Sequence, residues 1–348
     1  MEQFKILSID GGGIRGLFPA TILSEIETHL SNKSGSKVNL YDYFDLICGT
    51  STGGILAIGL ALGMSANDLM SLYFDRGKDI FSNKRNLLGR LCNPTYDSQT
   101  LQELLKAEFS KYSENGDTRL GHAKTRLCIP IFNAEHSVSQ VLKTAHHQNL
   151  YTDFQIPAYQ AALATSAAPT YFNPASFNYN TLSNDKKIVI RNNNIDGGVF
   201  CNNPALVGIN EAVQLHDIPI DKIKLLSIGT GINKFQKNDN HKSWGLIFWI
   251  GKKNIFDLMI QSQSMHTENM ISILNQGITK KDKTKFQYHR IQTEFRDKPS
   301  SIELDDTDKT KLRRLVSLGQ EVFKEQGTQI LDTFFSDKVT PYTPFFSL

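Results

Sequence analysis

The sequence predicts an α/β fold, a three-layer α/β/α arrangement with a mostly parallel central sheet. Two observations predict it. Short apolar runs of strand length alternate with longer helix-periodic runs along the 348 residues. Two glycine-rich turns, residues 10–16 (DGGGIRG) and 49–53 (GTSTG), each follow a strand-like run and precede a helix-like one. A third glycine signature, Asp196-Gly197-Gly198, also follows an apolar stretch.

The elements read in order as follows. Residues 4–9 (FKILSI) form a buried strand. Residues 17–30 form a helix with Ala20, Leu23, Ile26 and Leu30 on one face. Residues 44–48 are the second strand and 53–62 the second helix. The longest apolar run, residues 53–63, falls well short of the ~20 residues of a membrane span and reads as the helix behind the second turn. Ser65 to Asp68 has the form of a capping box that opens a helix through Tyr73. Residues 84–94 are basic and loop-like, and Ser98 is a cap for a helix over 101–109. Residues 111–122 are polar, contain Gly116, and read as a surface loop. A strand at 126–132 and a helix at 157–164, with Pro157 at its start, come next. A strand at 187–190 leads through Ile195 into the turn at Asp196. Residues 204–214 are a helix and 222–228 a strand. Helices at 256–274 and 310–335 flank a strand at 285–291. No repeat, low-complexity tract or linker interrupts the chain, so residues 1–348 read as one domain. Its motif-bearing part spans 4–231, and 232–348 complete the fold with room for a control element.

Composition narrows the classes. The net charge of +3 is too small to argue for a nucleic acid polymer as partner. Cys48, Cys92, Cys128 and Cys201 are far apart with no C-x-x-C pair, and read as buried free thiols. The start, MEQFK, has no charged region leading into an apolar one, so no secretory signal is expected and a cytoplasmic location fits. No calcium loop or spaced His/Cys set appears, so neither a metal nor a cofactor is expected.

The chemistry concentrates in the three turns. Gly49-Thr50-Ser51-Thr52-Gly53 has the G-x-S-x-G form that sets a serine on a sharp strand-to-helix turn with its hydroxyl exposed. Alone it arises by accident in roughly one chain in ten of this length. The string at residues 10–16 is rarer by about three orders of magnitude. It is a candidate source of backbone N–H groups for a developing oxyanion at a helix N-terminus. A nucleophile and an anion cradle on neighbouring strands suggest acyl transfer. Asp196 supplies the carboxylate that a serine without a nearby histidine needs.

These three motifs match, in order, those of the patatin-like phospholipases, and the resemblance runs from about Phe4 to about Gly231. The segment ATSAAPTYF at residues 164–172 and Asn202-Asn203-Pro204 also look like the family's. The resemblance implies a Ser51–Asp196 dyad. It implies an oxyanion loop of Gly11, Gly12 and Gly13 with Arg15 beside them. Gly16, Gly49, Gly53, Gly197 and Gly198 support these turns. It further implies hydrolysis of glycerophospholipid esters through an acyl-enzyme. Some bacterial members of the family act in antiphage defence when triggered by cyclic dinucleotides, so such an activator enters as a further expectation.

Other readings stand beside this one. A Ser-Asp-His triad would draw on His266 or His289, both of which follow Asp196 in the chain. A non-enzymatic binding or storage protein of the same fold is a third class, against which intact Ser51 and Asp196 argue. Gly11, Gly13 and Gly16 also spell the dinucleotide fingerprint, but the next strand ends at Ser51 rather than at an acidic residue. Arg15 suits a phosphate headgroup or a contact within the protein. Trp244, Phe248 and Trp249, followed by Lys252 and Lys253, suit peripheral membrane contact or a segment packed beside the sheet.

Overall fold

The computed structural model describes residues 3–82, 84, 93–182, 187–233, 254–276, 286–295 and 301–348. The strands are β1 (Phe4–Ile9), β2 (Leu46–Gly49), β3 (Arg126–Asn133), β4 (Val138–Lys143), β5 (Ala175–Asn180), β6 (Ile188–Asp196), β7 (Ile223–Ile228), β8 (Ile232–Asn233), β9 (Gln287–Ile291) and β10 (Glu294–Phe295). Eight of them make one sheet in the order β5-β6-β3-β2-β1-β7-β9, with β4 also on β3. β8 and β10 pair separately. β1, β2, β3, β7 and β9 run parallel, which is the expected doubly covered sheet. β4 and β6 each pair antiparallel with β3, and β5 pairs antiparallel with β6.

Alternation along β1 assigns its side chains to two cores. Leu7 and Ile9 join one cluster, whereas Phe4 and Ile6 join another with Leu46, Cys48, Leu225 and Ile209. Burial on both faces is why these strands read as unbroken apolar runs. The helices are α1 (Leu17–Ser34), α2 (Thr52–Leu62), α3 (Ala66–Ile80), α4 (Gln99–Phe109), α5 (Ala158–Ser166), α6 (Gly198–Cys201), α7 (Ala205–Leu215), α8 (Asn254–Gln276) and α9 (Lys309–Phe334). α1 and α3 pack with the first cluster, and α7 carries Ala205, Ile209 and Ala212 of the second.

Several local expectations need correction. Ser65 Oγ accepts the Asp68 N–H as a cap should, but its hydroxyl also donates to the Asp68 carboxylate at 2.6 Å, so that carboxylate does not close a capping box. The helix continues past Tyr73 to Ile80, which is buried. Ser98 does not cap α4 with its hydroxyl; the Asp97 carboxylate accepts the Gln99 N–H instead. The stretch 111–122 is not a free surface loop. Arg119 is buried and donates Nη1 to the Gln155 and Asn180 carbonyls. Cys92 with most of the basic loop, and the Trp244–Ile250 run, lie outside the described residues.

One ion pair ties the end of β1 to the edge strand β9. Arg290 Nη2 and Nη1 donate to the two Asp10 oxygens at 2.6 and 3.0 Å, and Nη1 also donates to Ser227 Oγ at 2.8 Å. Both side chains are buried. Burial pushes the Asp10 carboxyl up, and the guanidinium opposes that shift. Removing one partner of such a pair costs roughly 3–5 kcal/mol because a buried charge is left alone. Arg290→Gln is therefore expected to lose about that much stability, and adding Asp10→Asn to recover a large part of it. Denaturant unfolding of the two single variants and the double variant measures this, and strict additivity would rule the coupling out.

Candidate active site

Ser51 stands between β2 and α2 with φ 55° and ψ −125°. A non-glycine residue held there is strained, and the turn around it must be over-determined. The two flanking glycines show how. A Cβ on Gly53 would overlap the Ile9 carbonyl, and one on Gly49 would overlap the Gly53 carbonyl. The start of α2 is thus pressed onto the end of β1. The Ser51 N–H donates to Thr165 Oγ1 at 3.0 Å, and that hydroxyl donates to the Pro130 carbonyl at 2.7 Å. The neighbouring Thr50 hydroxyl is held by the Cys201 carbonyl at 2.7 Å.

Asp196 reaches Ser51 because of how β3 is shared. β2 pairs with residues 126–128 of β3, and β6 pairs with residues 131–133. β4 occupies the opposite edge of β3 over residues 128–133, which overlaps the first stretch at Cys128 and all of the second. β2 and β6 therefore lie end to end along one edge, running toward each other. Their C-terminal ends meet, and Ser51 and Asp196 sit at that junction. Ser51 Oγ donates to Asp196 Oδ2 at 2.6 Å. Asp196 Oδ1 accepts the Gly198 N–H at 2.7 Å, and the Asp196 N–H is held by the Ala167 carbonyl. Asp196 is 1% exposed. Burial raises its pKa to about 7, against the opposing pull of its bonds to Ser51 and Gly198.

The glycine loop after β1 stands across from this pair. Its first member does not present a free donor: the Gly11 N–H donates to the Asn202 carbonyl at 3.0 Å. The Gly11 carbonyl accepts from Thr230 Oγ1 at 2.8 Å and from Asn202 Nδ2 at 3.3 Å. Gly11 is thus an anchor, which corrects the expectation of three equivalent oxyanion donors. Gly12 and Gly13 line the pocket beside Ser51, and among the described residues their N–H groups have no hydrogen-bond partner. Of the two readings of Arg15, the contact within the protein is the one the structure shows. It is 1% exposed and does not line the pocket, and its Nε donates to the Gly12 carbonyl at 3.4 Å. It braces the loop from behind instead of offering a fork to a phosphate. Gly16 closes the short 3-10 turn after the loop, while Gly197 packs on Pro130.

Ser51, Asp196, Gly12, Gly13 and Asn202 form the polar end of an otherwise apolar slot, walled by Leu101, Tyr171, Phe172, Phe256, Ile260 and Leu304. Its volume is about 60 Å³. Among the described residues no histidine lines it. His266 is exposed on α8, and His289 bonds Gln326 at 2.9 Å. Elsewhere, Cys128, His146 and Glu211 bring potential metal-ligand atoms within 4.8 Å of one another. Glu211 is already bonded to Lys143 Nζ at 2.6 Å and to His146 Nε2 at 2.7 Å, and His146 Nδ1 to Thr144 Oγ1 at 2.9 Å, so this cluster is engaged without an ion. Cys48, Cys128 and Cys201 are buried free thiols. Among the described residues no helix is long and apolar enough to cross a membrane.

Comparison with known proteins follows the same lines. Residues 7–209 match the family model described as patatin-like phospholipase. A cGAMP-activated phospholipase of Escherichia coli is 32% identical over 99% of this chain and 95% of its own length. Another, of Pseudomonas aeruginosa, is 34% identical over 78% of this chain and 75% of its own. Patatin-17 of Solanum cardiophyllum is 30% identical over 93% of this chain and 84% of its own. With its α/β sheet and this match over more than half its length, the chain belongs to the patatin-like phospholipase family, whose members hydrolyse lipid esters.

Proposed function

We propose that this phospholipase cleaves a carboxylic ester of a glycerophospholipid through a Ser51–Asp196 dyad. The observation that carries the reading is the 2.6 Å bond between Ser51 Oγ and a buried carboxylate titrating near neutrality. Asp196 accepts the hydroxyl proton as Ser51 Oγ attacks the carbonyl carbon. The N–H groups of Gly12 and Gly13 receive the oxyanion, with the N-terminal end of α2 behind Ser51. The tetrahedral intermediate collapses, Asp196 returns the proton to the departing alcohol oxygen, and an ester on Ser51 remains. Water, deprotonated by Asp196, attacks that ester. The second intermediate expels Ser51 Oγ, which regains its proton, and a fatty acid leaves.

A slot of about 60 Å³ is well below the roughly 300–1,000 Å³ of small-molecule sites, which supports a wall that parts before an acyl chain is seated. This supports a regulated enzyme, and three relatives carry the name cGAMP-activated phospholipase. We therefore read a cyclic dinucleotide as activator. Free thiols at three of four cysteines fit a reducing cytoplasm, and the substrate brings the chain to the inner membrane. The Trp244, Phe248 and Trp249 run is the sequence element assigned to that contact.

Ser51→Ala and Asp196→Ala are each expected to abolish ester release from phospholipid, with the double variant no worse, because the pair acts as a unit. His266→Ala and His289→Ala retain most activity. A folded histidine variant as dead as the serine variant would replace the dyad by a triad. The base must be ionised, so kcat/KM rises with pH through about 7 and not through 4. A pH profile on a soluble short-chain ester measures it.

Thr230→Val removes the hydroxyl that holds the Gly11 carbonyl while keeping its shape. It should lower kcat by about tenfold or more with little change in KM, since a displaced oxyanion donor costs transition-state binding alone. Steady-state kinetics that moved KM only would contradict the loop assignment. Trp249→Ala is expected to weaken cosedimentation with anionic vesicles and to spare short-chain ester turnover. Loss of both with a lower melting temperature would assign the run to the core.

A further inference from the structure

A cleft of about 670 Å³ opens at the N-terminal ends of β2 and β3, the far end of these strands from Ser51. Its chemistry differs from that of the Ser51 slot, which no cation lines among the described residues. Among the described residues Lys124, Arg126 and Lys338 line it together with the Asp42 carboxylate; Lys338 pairs with Asp42 at 2.8 Å and Arg126 with the Asp45 carboxylate at 4.0 Å. Lys124 is exposed and makes no ion pair among the described residues. Tyr41 and Tyr342 supply aromatic walls. The Arg126 guanidinium stacks between the rings of Phe4 and Tyr342, 5.8 and 5.3 Å from their centres, and Nη1 donates to the Asp45 carbonyl. The Tyr342 ring is thereby held as a platform, with a fixed cation behind it.

We propose that this cleft binds the activating cyclic dinucleotide, an inference that rests on the activation reading above. The two bases meet the tyrosine rings and the two phosphates meet the lysines. The volume lies within the roughly 300–1,000 Å³ of small-molecule sites. An acyl lipid has no such complement, because its chains would lie against charged groups.

The topology links this cleft to the dyad. Asp42 and Tyr41 belong to the 3-10 turn Leu40–Tyr43, whose chain continues through Phe44 into β2 and on to Ser51. Arg126 opens β3, which carries Ile131, the register partner of Asp196. One wall is the C-terminal segment, pinned by the Val339 N–H to the Asp42 carbonyl at 2.8 Å and by the Lys338–Asp42 pair. A phosphate that draws Lys338 away loosens this hold on the turn that feeds β2. The ligand shifts the enzyme toward an open slot only to the extent that it prefers that state.

The test uses the full chain and three measurements. Calorimetry gives the Kd for cGAMP, fatty-acid release from phospholipid vesicles gives the activation midpoint, and thermal melting reports folding. Lys124→Glu and Tyr342→Ala are each expected to raise Kd and the activation midpoint together by about tenfold or more. GMP, AMP and inorganic phosphate should compete poorly. If wild type is activated and both variants bind and respond as it does, the cleft assignment falls and the activation reading stands. If wild type neither binds nor responds to cGAMP, both fall. A mononucleotide or inorganic phosphate that binds as tightly as cGAMP would overturn the dinucleotide assignment. Lys124 is exposed, so its variant keeps the test decisive should Tyr342→Ala fail to fold.

Discussion

Much of this molecule is organised around one buried carboxylate that has no cation bonded to it among the described residues. Among the described residues Asp196 has two donors, the Ser51 hydroxyl and the Gly198 N–H. Taking an ionised carboxylate out of water without a counter-charge is unfavourable, and its pKa rises until it is poised near neutrality. The surrounding backbone must impose that arrangement. It does so through the shared edge of β3, where two strands of opposite direction converge. An all-parallel sheet would carry its next strand past Ser51 with no C-terminal end facing it.

The second buried aspartate makes the contrast. Asp10 meets a bidentate arginine and is a strut; Asp196 meets a hydroxyl and is a base. The strut matters because the next residue, Gly11, begins the loop that faces the nucleophile. Asn202, Thr230 and Ser264 complete the hold on that loop: Asn202 Nδ2 donates to Ser264 Oγ as well as to the Gly11 carbonyl. Three of these contributors, Thr230, Ser264 and Arg290, lie beyond residue 209, where the family match ends. So do Phe256, Ile260 and Leu304 of the slot. The motifs supply the reacting atoms, and the last third of the chain fixes and encloses them.

What the sequence made legible follows from what is local. Strands buried on both faces, such as β1 and β7, appear as apolar runs, and glycine turns mark where backbone must approach backbone. β4 and β5 escaped notice because their side chains are largely exposed or half-buried, so no period-2 apolar signal arises. Arg290 escaped because an arginine in a half-buried strand looks like any surface cation until β9 is placed next to β7. Gly11 was misread for a related reason. A glycine-rich string announces conformational freedom, but which of its N–H groups is free depends on Asn202, 191 positions away. Thr165 lies within the segment singled out by family likeness, but its contact with the Ser51 N–H is a tertiary fact.

The strand that delivers the nucleophile also carries a thiol. Cys48, three residues before Ser51, is the direct register partner of Cys128 on β3, and both are inaccessible to solvent. A thiol reagent can reach them only when β2 and β3 separate or the second core opens. The labelling rate of these two sulfurs in the native protein therefore reports the opening free energy of that strand pair, at the place where the fold delivers its serine. Such a clock needs no introduced probe. It would register separately whether binding at a distance loosens the scaffold itself or only the walls around the slot.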